Sequence, residues 1–377
     1  MKLIYYSIKL NHHQVYVADE LFALLGSDFV FVELKNINEN KGCLEDYRSR
    51  PYLLCSWVSE TSFKKAMNLA LNADVCIFGG TESLPFMKSR MERDLLSFYM
   101  SERWLKRGIY NIISPNLLKV YIDYWYRGWN QKPMYSLCCS AFAKNDFKRL
   151  KIFGGKCFKW GYFSKANKHN CETSEFREKI NRTNIMWCGR FLSWKHPELV
   201  ILLAVRLKKN GYNVNINMYG DGPCLDVVKK LISQENVSDM VTLNGSFSND
   251  KIIAAMRHHD IFLFTSDKNE GWGVVANEAM SNNCCIVASD EIGSIPYLVK
   301  PGRNGMVFRS NSISSLYEQV KFLLDNPIER KRIANRGRET MVKFWNPANA
   351  AKSLLTLIED IKAGRESSIA EGPGSKA

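Results

Sequence analysis

Apolar segments of strand length alternate with segments of helical spacing through the second half of this chain. The predicted strands are Ile185–Cys188, Val214–Tyr219, Met240–Leu243, Ile261–Thr265 and Cys284–Ser289, and the predicted helices are Pro197–Lys209, Cys224–Ser233, Asn249–Arg257 and Val274–Ser281. This β-α-β order predicts a parallel sheet with helices on both faces. Right-handed crossovers then bring every loop that follows a strand to one edge of the sheet, which is where ligands bind in such folds.

The first half follows the same order less clearly. Its candidate strands are Leu3–Ser7, Phe29–Leu34, Val75–Phe78 and Tyr135–Cys139, and its candidate helices are Phe63–Asn72 and Leu84–Phe98. Because the chain has 377 residues, two domains are expected. We assign them to residues 1–165 and 166–345, with the polar segment 155–184 as the connection, an amphipathic helix at 346–363 and a disordered tail at 364–377.

A polar loop containing two glycines follows the strand Ile261–Thr265. Gly271 and Gly273 let the backbone pass close to a ligand, and the N–H groups at the start of the next helix favour an anion such as a diphosphate. Glu270, at the rim of the loop, suits sugar hydroxyls, while Glu278 on the helix suits a ribose diol. Taken alone, the same pattern also fits an ordinary loop with solvated glutamates.

Three other loops are expected at the same edge of the sheet. Gly189-Arg190 and Lys195 follow the first strand of this half, and their guanidinium and ammonium groups suit phosphate, although both also fit a solvated surface. Gly220 lies in a glycine-rich turn after the second strand, where a flat base would fit against the backbone. Asn244-Gly245 ends the third strand.

Together these motifs resemble the retaining GT-B glycosyltransferases of family 4, of the bacterial polysaccharide type. The hallmark of that family is a pair of glutamates separated by seven residues, and Glu270 and Glu278 have this spacing. The resemblance covers residues 185–310. It implies an α/β protein with two Rossmann-like domains that face each other across a cleft, the donor on the C-terminal domain and the acceptor on the N-terminal one.

The resemblance also implies a role for each matching residue. Arg190 and Lys195 would neutralise the donor diphosphate, Glu270 would hold the sugar hydroxyls, and Glu278 would bind the ribose. The remaining donor contacts would come from Gly189, Gly220, Asn244, Gly245, Gly271, Trp272, Gly273 and Val274. The implied reaction is the retaining transfer of a hexose-type sugar from a UDP- or GDP-sugar to a glycan or a lipid-diphosphate-linked acceptor, with no permanently bound cofactor.

The N-terminal half departs from the family pattern at two places. The family often carries a Gly-Gly loop after its first strand, where this chain has Leu10-Asn-His-His-Gln14. It often carries a histidine after its fourth strand, where this chain has Ser101-Glu102. Glu102, with Ser101 as the alternative, is therefore our candidate for the catalytic group of the acceptor domain. His12 and His13 are the histidines of this half placed at a cleft edge, where they either touch the substrate or are polar surface.

No metal is expected. The sequence contains neither Asp-x-Asp nor Cys-x-x-Cys, so Arg190 and Lys195 would supply the positive charge beside the leaving group. Two other functions remain open at this point: a nucleotide-sugar epimerase of the same fold, and a non-catalytic subunit that binds a sugar nucleotide.

The net charge of +14 is concentrated in one region, because residues 101–165 contain 13 lysines and arginines and only 3 acidic residues. Such a patch suits an anionic membrane or an acidic substrate, or it is a solvated face. A nucleic-acid partner is not expected, since no zinc finger or RNP-type strand is present. Without a signal sequence or an apolar run of roughly 20 residues, we expect a cytoplasmic protein, peripheral on the inner face of the cell membrane.

Overall fold

The computed structural model describes residues 1–36, 47–164 and 182–377. The chain divides into two compact units: unit 1 comprises Met1–Lys165 and Phe344–Ala377, and unit 2 comprises Ala166–Lys343. The predicted domain boundary between residues 165 and 166 lies outside the described residues.

Unit 1 is built on a seven-stranded parallel sheet with the order β3-β2-β1-β4-β5-β6-β7. Its strands are β1 Leu3–Ser7, β2 Phe29–Glu33, β3 Leu53–Cys55, β4 Val75–Gly79, β5 Ser97–Ser101, β6 Met134–Cys138 and β7 Cys157–Lys159. Its first helices are α1 Val15–Leu25, α2 Glu60–Asn72, α3 Leu84–Met91, α4 Pro115–Tyr126 and α5 Ala143–Arg149. Both β1 and β4 are buried at every residue, as strands covered on both faces must be.

The predicted helix Leu84–Phe98 is wrong in its second half. Helix α3 ends at Met91, and Ser97–Ser101 forms strand β5 between β4 and β6. The buried guanidinium of Arg90 donates to carbonyl groups around the end of the helix, namely those of Ala70, Ala73, Asp74 and Leu96. These hydrogen bonds, together with the left-handed backbone of Asp94 (φ 53°), turn the chain out of the helix and into the sheet. Similarly, β7 lies within the stretch that we assigned to the polar connection 155–184.

A last helix, α13 (Pro347–Lys362), belongs to unit 1 and packs on α1. Asn346 caps its start by accepting from the backbone N–H of Asn349, and Pro347 occupies the first turn. Its buried residues recur at helical spacing: Ala350, Ala351, Leu354, Leu357 and Ile358. This apolar stripe is what the sequence pattern of 346–363 indicates.

The tail after this helix is ordered, contrary to the disorder expected for residues 364–377. Strand β7 is at an edge of the sheet, so its backbone groups need partners. The tail supplies them: the N–H of Lys159 donates to Ser375, and Gly374 and Ala377 donate to carbonyl groups of Lys159 and Cys157. Asp360 holds the turn by accepting from the backbone N–H and the hydroxyl of Ser368. The composition of the tail predicted disorder because it does not show that the edge of β7 is available to pair with this segment.

Unit 2 contains a six-stranded parallel sheet with the order β10-β9-β8-β11-β12-β13. Its strands are β8 Thr183–Cys188, β9 Val214–Tyr219, β10 Val241–Gly245, β11 Ile261–Phe264, β12 Cys285–Ser289 and β13 Met306–Phe308. Its helices are α6 Pro197–Lys209, α7 Leu225–Gln234, α8 Asn249–Met256, α9 Val275–Ser281, α10 Ile295–Leu298, α11 Ile313–Asp325 and α12 Pro327–Lys343. The predicted parallel α/β architecture is confirmed.

Each sheet has one point where the strand order reverses. In unit 1 the chain runs outward on one side of β1 and then returns to β4, and in unit 2 the same happens between β8 and β11. Loops leaving the carboxyl ends of such neighbouring strands diverge to opposite faces and open a crevice for ligands. Within the described part of the chain, no helix is long and apolar enough to cross a membrane.

Candidate functional site

The two loops that diverge from β8 and β11 carry the main candidates for donor binding. Gly189, Arg190 and Lys195 follow β8, and residues 265–274 follow β11. Because β8 and β11 are hydrogen-bonded neighbours, these loops begin side by side. The strand order therefore places Lys195 and Glu270 at one sheet edge although 75 positions separate them along the chain.

Lys195 and Glu270 are in direct contact. The Nζ of Lys195 donates to Oε2 of Glu270, and the hydroxyl of Ser266 donates to the same oxygen at 2.9 Å. Both charged side chains are largely buried, with exposed fractions of 16% and 11%. A lysine and a glutamate removed from water this far are stable only as a pair. The contact therefore holds an ammonium group and a carboxylate next to each other at the mouth of the site.

The backbone around Lys195 is tied to the end of β11. The hydroxyl of Thr265 donates to the carbonyl oxygen of Lys195 at 2.6 Å and accepts from the indole N–H of Trp187 at 2.9 Å. The N–H of Asp267 donates to the carbonyl oxygen of Trp194. The ammonium group also lies 4.5 Å from the ring centre of Trp194, a cation–π distance. Contacts with the residues that follow β11 thus fix the backbone from which the Lys195 side chain extends.

Glycines bring the ends of β8, β9 and β10 into backbone contact. The N–H of Gly220 donates to the carbonyl oxygen of Gly245, and the N–H of Gly189 donates to that of Tyr219. A Cβ on Gly220 would lie 2.0 Å from the carbonyl oxygen of Gly189, and its φ of +129° also favours glycine. The side of Gly220 on which a Cβ would stand is thus occupied by protein backbone, and contact of this turn with a base stays a prediction.

The loop from Glu270 to Val274 is packed tightly onto the sheet. Gly273 has a φ of +77°, and a Cβ there would lie 2.2 Å from the ring of Phe264. Trp272 is buried, and its indole N–H donates to Oδ1 of Asn277 on α9 at 2.9 Å. The side chain of Trp272 therefore anchors the loop to the helix. Helix α9 has only seven residues, so its dipole adds little to the charge of Lys195.

Glu278 lies on α9 with its carboxyl group buried. Removal from water raises the pKa of Glu278 to about 7, opposed by a hydrogen bond with the side chain of Asn249 at the start of α8. The carboxyl group also adds to the raised pKa of Cys188, the last residue of β8. Glu278 thus lies close to Cys188 at the end of β8 and to Asn249 at the start of α8.

Two expected donor residues lie outside this cluster. Arg190 is on the same loop as Lys195, but its side chain is exposed. Asn244, half-buried, donates to the carbonyl oxygen of Thr242 and to Oδ1 of Asn217 at 3.4 Å each. Their contacts with a donor stay predictions.

Sequence reasoning missed several groups of this site. His196 has a left-handed backbone (φ 48°), and its ring lies 2.8 Å from Oε1 of Glu198 and 3.5 Å from Oδ2 of Asp267. The hydrogen bond with Glu198 is the main cause of its raised pKa. Ser266 and Asn249 were missed because neither stands in a recognised motif: Ser266 acts through one contact with Glu270 in the same loop, and Asn249 through one contact with Glu278 on another helix. A polar residue immediately after a buried strand, such as Ser266, is the only local signal for this role.

Unit 1 has a polar cluster at its own reversal point. The buried side-chain amide of Gln14 donates to the hydroxyls of Ser7 and Tyr5, at 3.1 and 3.4 Å. Burial and the neighbouring His12 lower the pKa of His13 to about 3, so His13 is neutral at ordinary pH. Its ring centre lies 5.6 Å from that of Tyr162.

Glu102 also belongs to the cluster in unit 1. It follows β5, accepts from the ammonium group of Lys106 at 2.6 Å, and is hydrogen-bonded to Tyr162, whose pKa is raised mainly by burial. Glu102 is therefore held by two neighbours, close to His13 through Tyr162.

The geometry of unit 2 agrees with the family comparison. Residues 172–340 match the family model described as Glycosyl transferases group 1. This half of the chain is similar to group 1 glycosyl transferases. The matched range contains Lys195, Glu270 and Glu278, so the contacts described above lie within it.

Curated relatives match over about half of the chain. Alpha-D-kanosaminyltransferase of Streptomyces kanamyceticus is 28% identical over 194 residues, which are 51% of this chain and 48% of that protein. A GDP-mannose-dependent alpha-(1-6)-phosphatidylinositol monomannoside mannosyltransferase of Mycobacterium tuberculosis is 22% identical over 49% of each chain. The chain thus spans about half the length of the curated relatives it matches.

Solved structures match over nearly the whole chain. The crystal structure of Anabaena HepE in complex with UDP has a TM-score of 0.71 at 14% identity and covers 96% of this chain and 100% of that one. The lipopolysaccharide outer core galactosyltransferase WaaB in its apo form has a TM-score of 0.70 at 14% identity, with the same coverage. At these identities the likeness concerns the fold, which is GT-B with two Rossmann-like units.

Replacing Gly220 tests whether the strand ends need their backbone contact. We expect Gly220→Ala to lower the free energy of unfolding by roughly 2–4 kcal/mol, because the new Cβ meets the carbonyl oxygen of Gly189 and the backbone is strained. Gly245→Ala is the matched control, since its φ is also positive but open space surrounds it, and it should lose only about 1 kcal/mol. Urea denaturation measures both, and equal losses would contradict the close-contact explanation.

Glu278 should make the stability of the protein depend on pH. Because its pKa is raised in the folded state, the folded protein holds this proton more tightly than the unfolded chain does. The contribution of Glu278 to the free energy of unfolding therefore falls as the pH rises from about 4.5 to about 7. Above that pH it stays unfavourable, by roughly 3 kcal/mol at most. We expect the Glu278→Gln variant to be more stable than the original protein at pH 8 but not at pH 4.5.

Urea denaturation at these two pH values measures the difference, with the exposed Glu318→Gln as the control. His196 also loses stabilisation as the pH rises through its raised pKa, but it does so equally in the original protein and in both variants. A pH-independent difference for Glu278→Gln would mean that this carboxyl group is not desolvated.

Proposed function

We propose that this protein is a retaining glycosyltransferase that moves a hexose-type sugar from a nucleoside-diphosphate sugar to a glycan or lipid-linked acceptor, in surface polysaccharide or glycoconjugate synthesis. The contact between Lys195 and Glu270 at the reversal point of unit 2 carries this proposal. A sugar nucleotide needs a cation for its diphosphate and a carboxylate for its sugar hydroxyls within a few ångströms of each other. This pair supplies both.

The donor would exchange partners with the pair. In the structure Glu270 pairs with Lys195 and accepts from Ser266. A bound diphosphate would take over the ammonium group of Lys195, and sugar hydroxyls would donate to the carboxylate of Glu270 in charge-assisted hydrogen bonds. Both groups are held in place before the donor arrives, which reduces the reorganisation needed at the moment of reaction.

The remaining donor contacts follow the same arrangement. Backbone N–H groups from Gly271 to Val274 would contact sugar and phosphate. The exposed side chain of Arg190 would add a second cation. Glu278 would accept from the ribose hydroxyls in its ionised form. Since burial raises the pKa of Glu278 to about 7, donor binding would release a proton near neutral pH. Lys195 and Arg190 would stabilise the leaving diphosphate without a metal.

The acceptor would bind to unit 1. Glu102 is the proposed catalytic group there, held by Lys106 and Tyr162, and the neutral His13 and buried Gln14 would suit uncharged hydroxyl groups. The clustering of Gln14, His13, Tyr162 and Glu102 at the reversal point of this sheet supports an acceptor site for sugar hydroxyls rather than for phosphate.

The relatives support the donor class. The mannosyltransferase is named for GDP-mannose and the HepE structure contains UDP. We therefore propose a UDP- or GDP-sugar as the donor. A lipid-diphosphate-linked glycan is the proposed acceptor, and the proposed location is cytoplasmic, peripheral on the inner face of the membrane. Nucleic acid is not a proposed partner.

Ligand-observed NMR against a panel of UDP- and GDP-sugars tests the donor assignment. At least one sugar nucleotide should bind, and Glu270→Gln should lower transfer by about 10²–10³-fold, because it removes an interaction with the reacting sugar. Glu318→Gln, exposed on α11, should leave transfer unchanged. If no sugar nucleotide binds to the original protein, the proposal fails. Conversion of the donor sugar without acceptor would indicate an epimerase instead.

Changing Glu102 separates the acceptor side from the donor side. We expect Glu102→Gln to lower transfer by about 10²-fold or more while sugar-nucleotide binding, measured by the same NMR experiment, stays unchanged. Glu60→Gln, an exposed glutamate paired with Lys64 in unit 1, is the matched control. Full transfer activity of Glu102→Gln would show that Glu102 is not the catalytic group of this unit.

A further inference from the structure

Exposed apolar side chains are concentrated in one stretch of unit 1. Six large hydrophobic residues that are more than 45% exposed occur between positions 109 and 126: Ile109, Tyr110, Ile113, Ile122, Trp125 and Tyr126. Single exposed apolar residues are normal on a protein surface, whereas a cluster of this size marks a contact surface. We call these six residues the α4 surface.

These residues are not exposed because α4 lacks contacts with the core. Helix α4 has a separate apolar face, on which Val120 and Tyr124 are buried and Leu117 and Tyr121 pack against the core of unit 1. The exposed residues Ile122, Trp125 and Tyr126 lie on the remaining face. The preceding 3₁₀ turn, Ile109–Ile113, packs against α4 and exposes the other three. The helix is therefore apolar on two sides, one of which has no structural use within unit 1.

The charges around the α4 surface are positive. Arg107 and Lys119 are exposed next to it. The acidic residue of the helix, Asp123, is paired with Lys88 at 2.8 Å and with Arg127 at 3.2 Å, so it does not oppose them. Across residues 101–165 basic residues outnumber acidic ones by ten. A partner for this surface must therefore offer both an apolar layer and negative charge.

We propose that the α4 surface docks onto an anionic lipid bilayer. Ile109, Ile113 and Ile122 would enter the edge of the acyl layer, and the aromatic rings would lie at the level of the headgroups, where tryptophan and tyrosine are favoured. Arg107 and Lys119 would contact the lipid phosphates. A second copy of the chain fits less well, since a two-fold contact would place the same positively charged surface on both sides of the interface.

The apolar residues change the expected response to salt. Binding through charge alone is screened when the Debye length falls from about 10 Å to about 3 Å between 0.1 M and 1 M salt. Apolar insertion is not screened. The α4 surface therefore requires that part of the binding to anionic vesicles survives in high salt, which a basic patch by itself does not explain.

Vesicle flotation of the full chain tests the proposal. The vesicles contain equal parts of phosphatidylglycerol and phosphatidylcholine, or phosphatidylcholine alone, and each is used at ~0.1 M and ~1 M NaCl. We expect binding to the anionic vesicles at both salt concentrations, weaker in high salt, and little binding to the neutral ones. The variant Ile122→Ser/Trp125→Ser/Tyr126→Ser should bind roughly tenfold or more weakly and lose all binding in high salt.

The control carries three serines at exposed apolar positions elsewhere, Leu24→Ser/Val58→Ser/Ile328→Ser, and should bind like the original protein. The variant Arg107→Glu/Lys119→Glu should lose the salt-sensitive part of its binding to anionic vesicles. Because all these positions are exposed, thermal unfolding should change little. Equal binding by the α4 variant and the control would overturn the proposal.

Concentration-dependent dimerisation of the original protein that the α4 variant abolishes, without vesicle binding, would also overturn the proposal in favour of a second copy. Vesicle binding is measured without any donor, and sugar-nucleotide binding is measured without vesicles. Failure of the membrane assignment therefore leaves the proposed transfer reaction untouched, and the reverse also holds.

Discussion

The pairing of Lys195 with Glu270 is the constraint on which the proposed donor site depends. Each charged group is largely removed from water, so neither is tolerated there without the other. The pair exists only because β8 and β11 are hydrogen-bonded neighbours and because Thr265 and Asp267 hold the backbone around Lys195. The parallel sheet, the tight loop after β11 and the glycine contacts between strand ends all serve to bring these two side chains together.

Function in this region comes with a cost in stability. Glu278 is buried with a pKa raised to about 7, which means that its ionised form weakens the fold. Gly220 and Gly273 have positive φ angles in crowded surroundings, where any side chain would be strained. Such features recur where a site is organised in advance for a ligand. A chain selected for stability alone would have replaced Glu278 with a neutral residue.

Unit 1 differs from unit 2 in the character of its polar edge. Unit 2 offers charged groups, whereas the cluster in unit 1 contains the neutral His13, the amide of Gln14 and the phenol of Tyr162, with Glu102 as its carboxylate. The same unit carries the α4 surface. An acceptor that combines sugar hydroxyls with a lipid anchor would use both features, one for recognition and one for delivery from a bilayer.

The sequence by itself determined the β-α-β order of residues 185–289 and the spacing of Glu270 and Glu278, because apolar periodicity and loop glycines are local properties. It also indicated the last helix, 346–363. Only the tertiary structure decided that Lys195 pairs with Glu270, that Ser266 and Asn249 support the two glutamates, and that residues 97–101 form a strand rather than part of a helix. The ordered tail beside β7 and the outward face of α4 were likewise decided there. Most of these depend on a partner far along the chain, whereas the contact of Ser266 with Glu270 and the outward face of α4 depend on how the fold orients a local segment. The sequence states which groups exist but not which of them the fold brings into contact.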